Sequence, residues 1–527
     1  MLFSLLDIIA TLYEKVNLEQ IEKQALRDEI NYLKGEQGKP TIRPNKIDEL
    51  DYSSEKERNP NPCKRNKGRG KRNDTVIIHR TEKCYYSRED LPPDAVFKGY
   101  HRVIVQNFKV VPDKVQYLVE VFYSPSAGKT YLAERPPGQE GEYGADVRTM
   151  ILSLKHMGNM SEPNIHSLLT SWGVRISKSS ISRIALKDAA LFHEEAEDIL
   201  KAGLISTEYT HIDDTGARVD GKQHHTHILC NPFFTAYVTT PHEDRLTVLR
   251  ILLMGNELQF CFNDATFELL EIFKVPEKVQ GFLKKECKGK TLNEEQLRSI
   301  IKDIPSTNRN PDQLHRRILE AAGIAWYHEQ KEIPIVHTLI SDDAAQFRHI
   351  ANWHSLCWVH AGRIIKKINP PIPIFKESVD KVLDEFWSYY RTLLEFQIEP
   401  KKFDVDELQK QFDKIFSQTT GFSPLDKILE SLLKNKEKLL VVLKFPQTPL
   451  HNNPAELGAR NAVRKRDVSL HTNSQEGTKA VDTALTIVQT AKKLGVNVRD
   501  YIHDRITKNE MEKLAITLLK KVGLDLT

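Results

Sequence analysis

EYTHIDDTGARVDGKQHHTHILCNPFFTAYVTT (Glu208–Thr240) reads as three consecutive strands: EYTHIDD, closing on two acids, then HHTHILC, then FFTAYVTT after an Asn-Pro break. The polar stretch TGARVDGKQ between the first two is expected to be the turn. An apolar-leaning strand that finishes on Asp213-Asp214 offers a carboxylate at its C-terminal end, where ligand sites in sheets with parallel strands lie. A second such strand is IPIVHTLISDDAAQF (Ile333–Phe347), with Asp342-Asp343 at its end. A third acid sits in HNNPAELGARNAVRKR (His451–Arg466), where Asn453 suits an N-cap, Pro454 the first helical position and Glu456 the first turn. Strands alternating with helical stretches specify an α/β fold built on a mixed sheet.

Hard magnesium ions take oxygen ligands from a few carboxylates and keep positions open for water and phosphate. Two aspartates at strand ends and one glutamate from a helix form such a set, able to hold two ions that activate an attacking oxygen and stabilise a leaving one. An Asp-Asp pair after a strand is by itself usually a turn or cap, so the joint occurrence of all three centres carries the reading. Asp342 is preferred over Asp343 because it follows the buried strand directly, which leaves Asp214, Asp343 and His360 as secondary candidates. Basic residues at Arg363, Arg460 and Arg464 follow the second and third centres and suit contact with a phosphate backbone.

Outward from these blocks, 527 residues exceed one domain, and 40% hydrophobic with 28% charged residues is the composition of a globular chain, not a fibrous or membrane-embedded one. A net charge of +4 does not announce a polyanion partner, so the local distribution of charge decides. Six cysteines without a CxxC pair give neither a disulfide framework nor a standard zinc spacing; Cys63 and Cys84 with His79 and His101 are too irregular for zinc, and His224, His225 and His227 are expected to alternate across a hairpin. The start has no signal-peptide pattern, no apolar run has transmembrane length, and the location expected is the cytoplasm.

The N-terminal third adds a second theme. Residues 1–34 carry a zipper-like apolar register, and 35–74 form a polar basic linker in which Lys64, Arg65, Lys67, Arg69, Lys71 and Arg72 are spaced by glycines slim enough for a minor groove. Residues 75–145 alternate in the strand manner and predict a β-rich module. NMSEPNIHSLLTSWGVRISKSSISRIALKDAA (Asn159–Ala190) predicts two helices about a Trp-Gly-Val break, a helix-turn-helix whose second helix presents Lys178, Ser179, Ser180 and Arg183 to DNA.

HIDDTGARV, LISDDAAQF followed by CWVHAGRII, and HNNPAELGARNAVRKR together resemble the three signature blocks of DDE transposases, most closely the IS66 group of bacterial insertion sequences. The resemblance implies a ribonuclease-H-like core with Asp213, Asp342 and Glu456 as catalytic triad and metal ligands. It also implies magnesium, with manganese as substitute, for hydrolysis at transposon ends and strand transfer. DNA, both ends and target, would be the partner, held by a homodimer or higher homo-oligomer, with or without accessory proteins; when bound to DNA the protein would sit with the nucleoid, and no membrane is implied. The first block departs from the family's usual Asp-Glu-Thr by having Asp214, and the family's zinc-binding cysteine set is reduced to Cys63 and Cys84, so zinc is not expected.

The organisation expected is a zipper-like helix at 1–34, a linker at 35–74, a β-rich DNA-binding or scaffold module at 75–145, a helix-turn-helix region at 146–200, a catalytic core at 201–500 and a C-terminal helical tail at 501–527. The spacings of 129 residues from Asp213 to Asp342 and 114 from Asp342 to Glu456 exceed what a five-stranded core needs, so helical inserts are expected near 256–330 and 376–444. Two rival readings share the fold: a non-catalytic DNA-binding descendant of a transposase, and a metal-dependent nuclease.

Overall fold

The computed structural model describes residues 76–524, apart from 88, 90, 93, 305–309 and 332, together with scattered helical positions between 6 and 23. The rest of the zipper-like segment and the whole basic linker, Cys63 and the six linker lysines and arginines included, lie outside the described residues.

Five strands form the central sheet: β1 Tyr209–Val219, β2 Lys222–Cys230, β3 Thr235–Thr240, β4 Thr338–Ser341 and β5 Trp353–Leu356. Their order is β3-β2-β1-β4-β5, with β1, β2 and β3 antiparallel and β4 and β5 running parallel to β1. Alternation divides the side chains between two faces. Ile212, Leu229 and Ala236 enter the main hydrophobic core, whereas Ile228 and Tyr237 on the other face form a small cluster with Ala459 and Leu485.

Helices α1 Ala145–His156, α2 Glu162–Ser171, α3 Lys178–Ala189 and α4 His193–Ile205 precede the sheet. The first three enclose Ile151, Ile165, Leu169, Ile181 and Ala185. Ser161 and Ser177 cap α2 and α3, and Gly173, with φ +84°, makes the turn between them, a conformation that L side chains avoid. Arg148 on α1 ties to buried Asp188 on α3, with Nε 2.8 Å from Oδ2.

Between β3 and β4 come α5 Arg245–Leu252, α6 Asp264–Ile272, α7 Glu277–Cys287, α8 Glu294–Lys302 and α9 Pro311–Glu329, with one small strand pair, Phe260–Cys261 and Thr291–Leu292. After β5 come α10 Trp358–Lys366, α11 Pro373–Ile398, α12 Val405–Phe416 and α13 Ser423–Lys434. These last helices build a second core around Trp358, whose ring lies 5.2 Å from Phe386 and 5.7 Å from Tyr389, and whose Nε1 donates to the Leu439 carbonyl at 2.8 Å. Then, one-turn helices aside, follow α14 Asn453–Ser469, α15 Gln475–Leu494, α16 Val498–Thr507 and α17 Leu514–Lys521.

Helix α15 guards the exposed edge of the sheet. Along β3 the outward amides of Thr235, Tyr237 and Thr239 donate to Thr490 Oγ1 (3.2 Å), Thr486 Oγ1 (3.1 Å) and Asp482 Oδ2 (2.7 Å). Two strand residues advance about 6.6 Å and four helical residues about 6 Å, so acceptors every fourth residue of a helix match donors every second residue of a strand. The edge is thereby closed to pairing with another chain.

Three sequence expectations change. The first strand does not stop at the acids but runs on to Val219, because Asp220 and Gly221, both with positive φ (49° and 71°), make the two-residue hairpin turn. The segment 75–145 holds a single hairpin, Val121–Ser124 with Lys129–Leu132, rather than a β-rich module among its described residues. Its apolar side chains, such as Phe97, Phe108 and Leu118, stand 75%, 87% and 88% exposed, since an alternating pattern without a surface to pack on does not make a sheet. The C-terminal segment is no appendage: its start at 501 falls inside α16, and Leu514 and Leu518 of α17 lie in the main core. Glu195 on α4 accepts from the Leu514 amide at 2.9 Å and from the Tyr501 hydroxyl.

Candidate active site

The parallel pairing of β1 with β4 covers only three residues, Tyr209 with Thr338, Thr210 with Leu339 and His211 with Ile340. Continuing that register by two residues sets Asp213 level with Asp342. Asp213 is therefore mid-strand for its antiparallel partner β2, facing Ile228, yet just past the end of the parallel ladder on its other side. β4 ends at Ser341, so the chain leaves the sheet at Asp342, beside Asp213.

Glu456 arrives on α14. Its helix lies close against the sheet because residue 458 is glycine: a Cβ there would sit 2.6 Å from Ile228 Cγ2. Tyr237 Oη donates to the Gly458 carbonyl at 3.2 Å. The residue before the helix is Asn452, not the expected Asn453, and its side chain does not cap the helix. Instead Asn452 Nδ2 donates to the Ile212 carbonyl (2.8 Å), its Oδ1 lies 3.1 Å from His211 Nδ1, and its backbone N–H donates to Cys357 Sγ (3.2 Å). With Nδ2 committed as donor, Oδ1 accepts, so the proton of His211 sits on Nδ1. Burial pushes His211 down to about 3, which keeps the ring neutral, and pushes the Cys357 thiol up to about 11, which keeps it from acting as a nucleophile. Asn452 thus fastens the glutamate helix to the first acidic strand and to the start of α10. Sequence reasoning missed Asn452, His211 and Cys357; His211 and Asn452 stand inside the first and third acidic blocks, which was the available signal, whereas Cys357, 14 residues after Asp343, offered none.

The carboxylates differ sharply in their surroundings. Asp213 Oδ1 accepts the Asp214 amide at 2.9 Å, and its pKa is raised to about 7, first by burial and then by the charges of Asp342, Asp214 and Glu456. Asp342 Oδ1 accepts the Ala344 amide at 3.1 Å and Asp342 has no cationic partner among the described residues. Asp343 is saturated: Arg348 reaches it with Nε at 3.1 Å and Nη2 at 2.9 Å, Asn435 Nδ2 lies at 3.3 Å and Lys438 Nζ at 3.8 Å. Asp214 accepts Gln346 Nε2 at 2.9 Å. Both Glu456 oxygens lie 3.1 Å from Arg363 Nη1. His354, half-buried and held down at about 3 by desolvation, reaches Ser341 Oγ at 2.8 Å, and the amide of half-buried His360 donates to Cys357 Sγ.

Among the described residues no three His, Cys, Asp or Glu side chains already converge on one point as a formed metal cluster. The donor set nevertheless fits a hard divalent cation: it is all carboxylate, and Asp213 holds its proton up to neutral pH against neighbouring negative charge, a cost that a cation removes. Closing the set around an ion requires Arg363 to release Glu456, and its side chain, 40% exposed, has room to swing outward.

Residues 329–480, a span that contains Asp342, Arg363 and Glu456, match the family model described as Transposase IS66 family. An uncharacterized protein of Sinorhizobium fredii, y4jO, is 34% identical over 310 residues, which cover 58% of this chain and 94% of that protein. The chain belongs to the transposase IS66 family. Asp213 lies upstream of the matched span.

In this family member both helical inserts reach the loop after β4. From the first, Glu320 on α9 pairs with Arg245, whose Nη2 donates to the Ala345 carbonyl at 2.6 Å and whose guanidinium stacks 4.8 Å over Phe273. From the second, Asn435 and Lys438 hold Asp343. Sequence patterns could not reveal this clamp, because its members run from Arg245 to Lys438, 193 positions apart.

The residues expected to meet DNA separate into groups. Lys178, Ser179 and Arg183 are exposed on α3, but Ser180 is buried with its hydroxyl 2.9 Å from Ser177 Oγ and 3.3 Å from Arg183 Nη2. Arg460 and Arg464 are exposed one turn apart on α14, the helix of Glu456. Arg363 points at Glu456 rather than outward. The histidines of β2 divide between the two faces: His224 lies on one, and His225 and His227, two residues apart, share the other, where His225 pairs with Glu243 at 2.8 Å and His227 is fully buried against Thr240. No described helix is long and apolar enough to cross a membrane.

Proposed function

We propose that this protein is a DNA transposase that hydrolyses phosphodiesters at the ends of its element and transfers the strand to target DNA. The observation that carries the reading is the placement of Asp342 beside Asp213 at the end of the β1–β4 ladder, with the helix of Glu456 packed on the same sheet face and the charges of Asp342 and Glu456 both raising Asp213. The strand order 3-2-1-4-5, with only the first three strands antiparallel, supports a ribonuclease-H-like core. Asp213, Asp342 and Glu456 would hold magnesium or manganese, which when bound supplies activation of water and stabilisation of the leaving oxygen.

The chain's own residues do the remainder. Asp343, with Arg348, Asn435 and Lys438 on it, fixes the Asp342 loop and is a positioning residue, as is Asn452 for Glu456. Arg363, once released by Glu456, is placed to take a phosphate oxygen. The α2–α3 pair acts as a helix-turn-helix that reads terminal DNA through Lys178, Ser179 and Arg183, and Arg460 and Arg464 receive the backbone beside the acids. The chain works as a homodimer or higher oligomer, because two element ends must be handled together.

The test is DNA cleavage and joining by the purified protein, with magnesium or manganese, on DNA carrying the ends of its own element. Wild type should nick and join, and Asp213→Ala, Asp342→Ala and Glu456→Ala should each bind DNA without cutting. Wild type that binds but never cuts would leave the non-catalytic reading, and cutting indifferent to the terminal sequence would leave the nuclease.

A further inference from the structure

Between helices α1–α3 and the sheet face that carries Asp213 lies a cavity of about 510 Å³. Its floor includes Thr215, two residues beyond Asp213 on the same strand. One corner is cationic. Lys465, on the helix of Glu456, is only 3% exposed, and its Nζ donates to the Lys155 carbonyl in the last turn of α1. It has no carboxylate partner among the described residues, since the nearby Glu162 already takes Lys155 Nζ at 2.5 Å and Ser182 Oγ at 2.8 Å. His156, 4% exposed in the same corner, has an Nδ1 without a hydrogen-bond partner.

Buried charges in folded proteins are paired, and an ammonium with donors to spare beside an open volume is a binding site for an anion. Away from that corner the wall turns apolar with Ala462, Val481 and Leu485. The volume is within the range that encloses a small ligand, and a charged corner beside an apolar wall suits a group carrying both a phosphate and a flat ring.

We propose that this cavity holds a single nucleotide of a bound DNA strand, with its phosphate on Lys465 and its base against Ala462, Val481 and Leu485. The inference rests on the DNA-transposase reading and adds that one nucleotide leaves the base stack near the acids, at the unstacking cost that enzymes acting on extruded bases meet with such pockets. Because the cavity touches both the α1–α3 unit and the strand of Asp213, filling it would join DNA recognition to the acids.

The experiment measures melting temperature of the full chain with deoxyadenosine monophosphate, a short oligothymidylate, or inorganic phosphate. Wild type should be stabilised by the monophosphate and the oligonucleotide, and less by inorganic phosphate. Lys465→Met, which keeps the length of the side chain and removes the buried cation, should lose these shifts while melting no lower than wild type without ligand. Ala462→Leu, which fills the apolar wall, should lose the nucleotide shift and keep the phosphate shift. Equal shifts in wild type and Lys465→Met, a full shift from inorganic phosphate alone, or no shift with either nucleotide would overturn the proposal. DNA cleavage measured alongside separates the two claims: nucleotide binding without cutting sinks the transposase reading alone, whereas cutting without nucleotide binding sinks the cavity alone.

Discussion

Two carboxylates on the same sheet face are both held up to about 7, for different reasons and with different consequences. Asp482 is raised by burial and is opposed by two hydrogen bonds from Thr239, its amide at 2.7 Å and its hydroxyl at 2.9 Å. It closes the edge of the sheet. Asp213 is raised by burial and again by three other acids, with one amide, that of Asp214, opposing them. A shifted pKa alone therefore does not mark a functional site. What separates the two is whether the neighbours satisfy the charge, as at Asp482, or add to it, as at Asp213.

That contrast can be broken experimentally at its strongest point by Asp213→Asn. DNA cleavage should fall by roughly 10³-fold or more, the scale for removing one member of a concerted unit. The metal-free protein should melt higher than wild type, because a crowded charge is gone, and magnesium should no longer stabilise it. A lower melting temperature in the metal-free variant would mean that Asp213 is satisfied after all. Asp343→Ala should come next, reducing cleavage by about 10–100-fold as expected for a group that orients a ligand, with DNA binding intact. An effect as large as that of Asp342→Ala would reverse their assigned roles.

Asp482→Ala should cost roughly 1–3 kcal/mol of stability, the penalty for a buried amide left without its acceptor, and should leave the response to magnesium unchanged. The smallest effect is on pH dependence. A carboxyl whose pKa rises from 3.8 to about 7 on folding keeps a proton that the unfolded chain releases, so its share of stability is present at acid pH and is lost as pH climbs toward 7. Melting followed from pH 5 to 8 should show a decline that Asp213→Asn lessens and that magnesium also lessens. The decline owed to Asp482 should be lessened by Asp482→Asn and be indifferent to magnesium.

The strands that carry the acids, the helix of Glu456 and the α2–α3 pair were legible because each depends on a local pattern: alternation, a proline in a first turn, or a glycine between helices. The end of β1 was misplaced because TGARV looks polar, whereas the decisive signal was the Asp220-Gly221 dipeptide that folds as a hairpin turn. The β-rich expectation for 75–145 failed because alternation specifies a strand only where a surface exists to cover it. Asp342 over Asp343 was inferred from strand proximity, and the same preference now rests on the cations that occupy Asp343. Asn452, the Arg245–Glu320 pair and the helix that covers β3 join residues 75 to 255 positions apart, which no local pattern encodes.

The most direct test of the account is manganese binding to wild type, Asp213→Asn, Asp342→Asn and Glu456→Gln, measured by the loss of free manganese signal in magnetic resonance. A shared centre predicts that each single substitution weakens binding in the wild-type protein's site and that combining two adds little further loss. Manganese held with unchanged affinity after Asp213→Asn would contradict it.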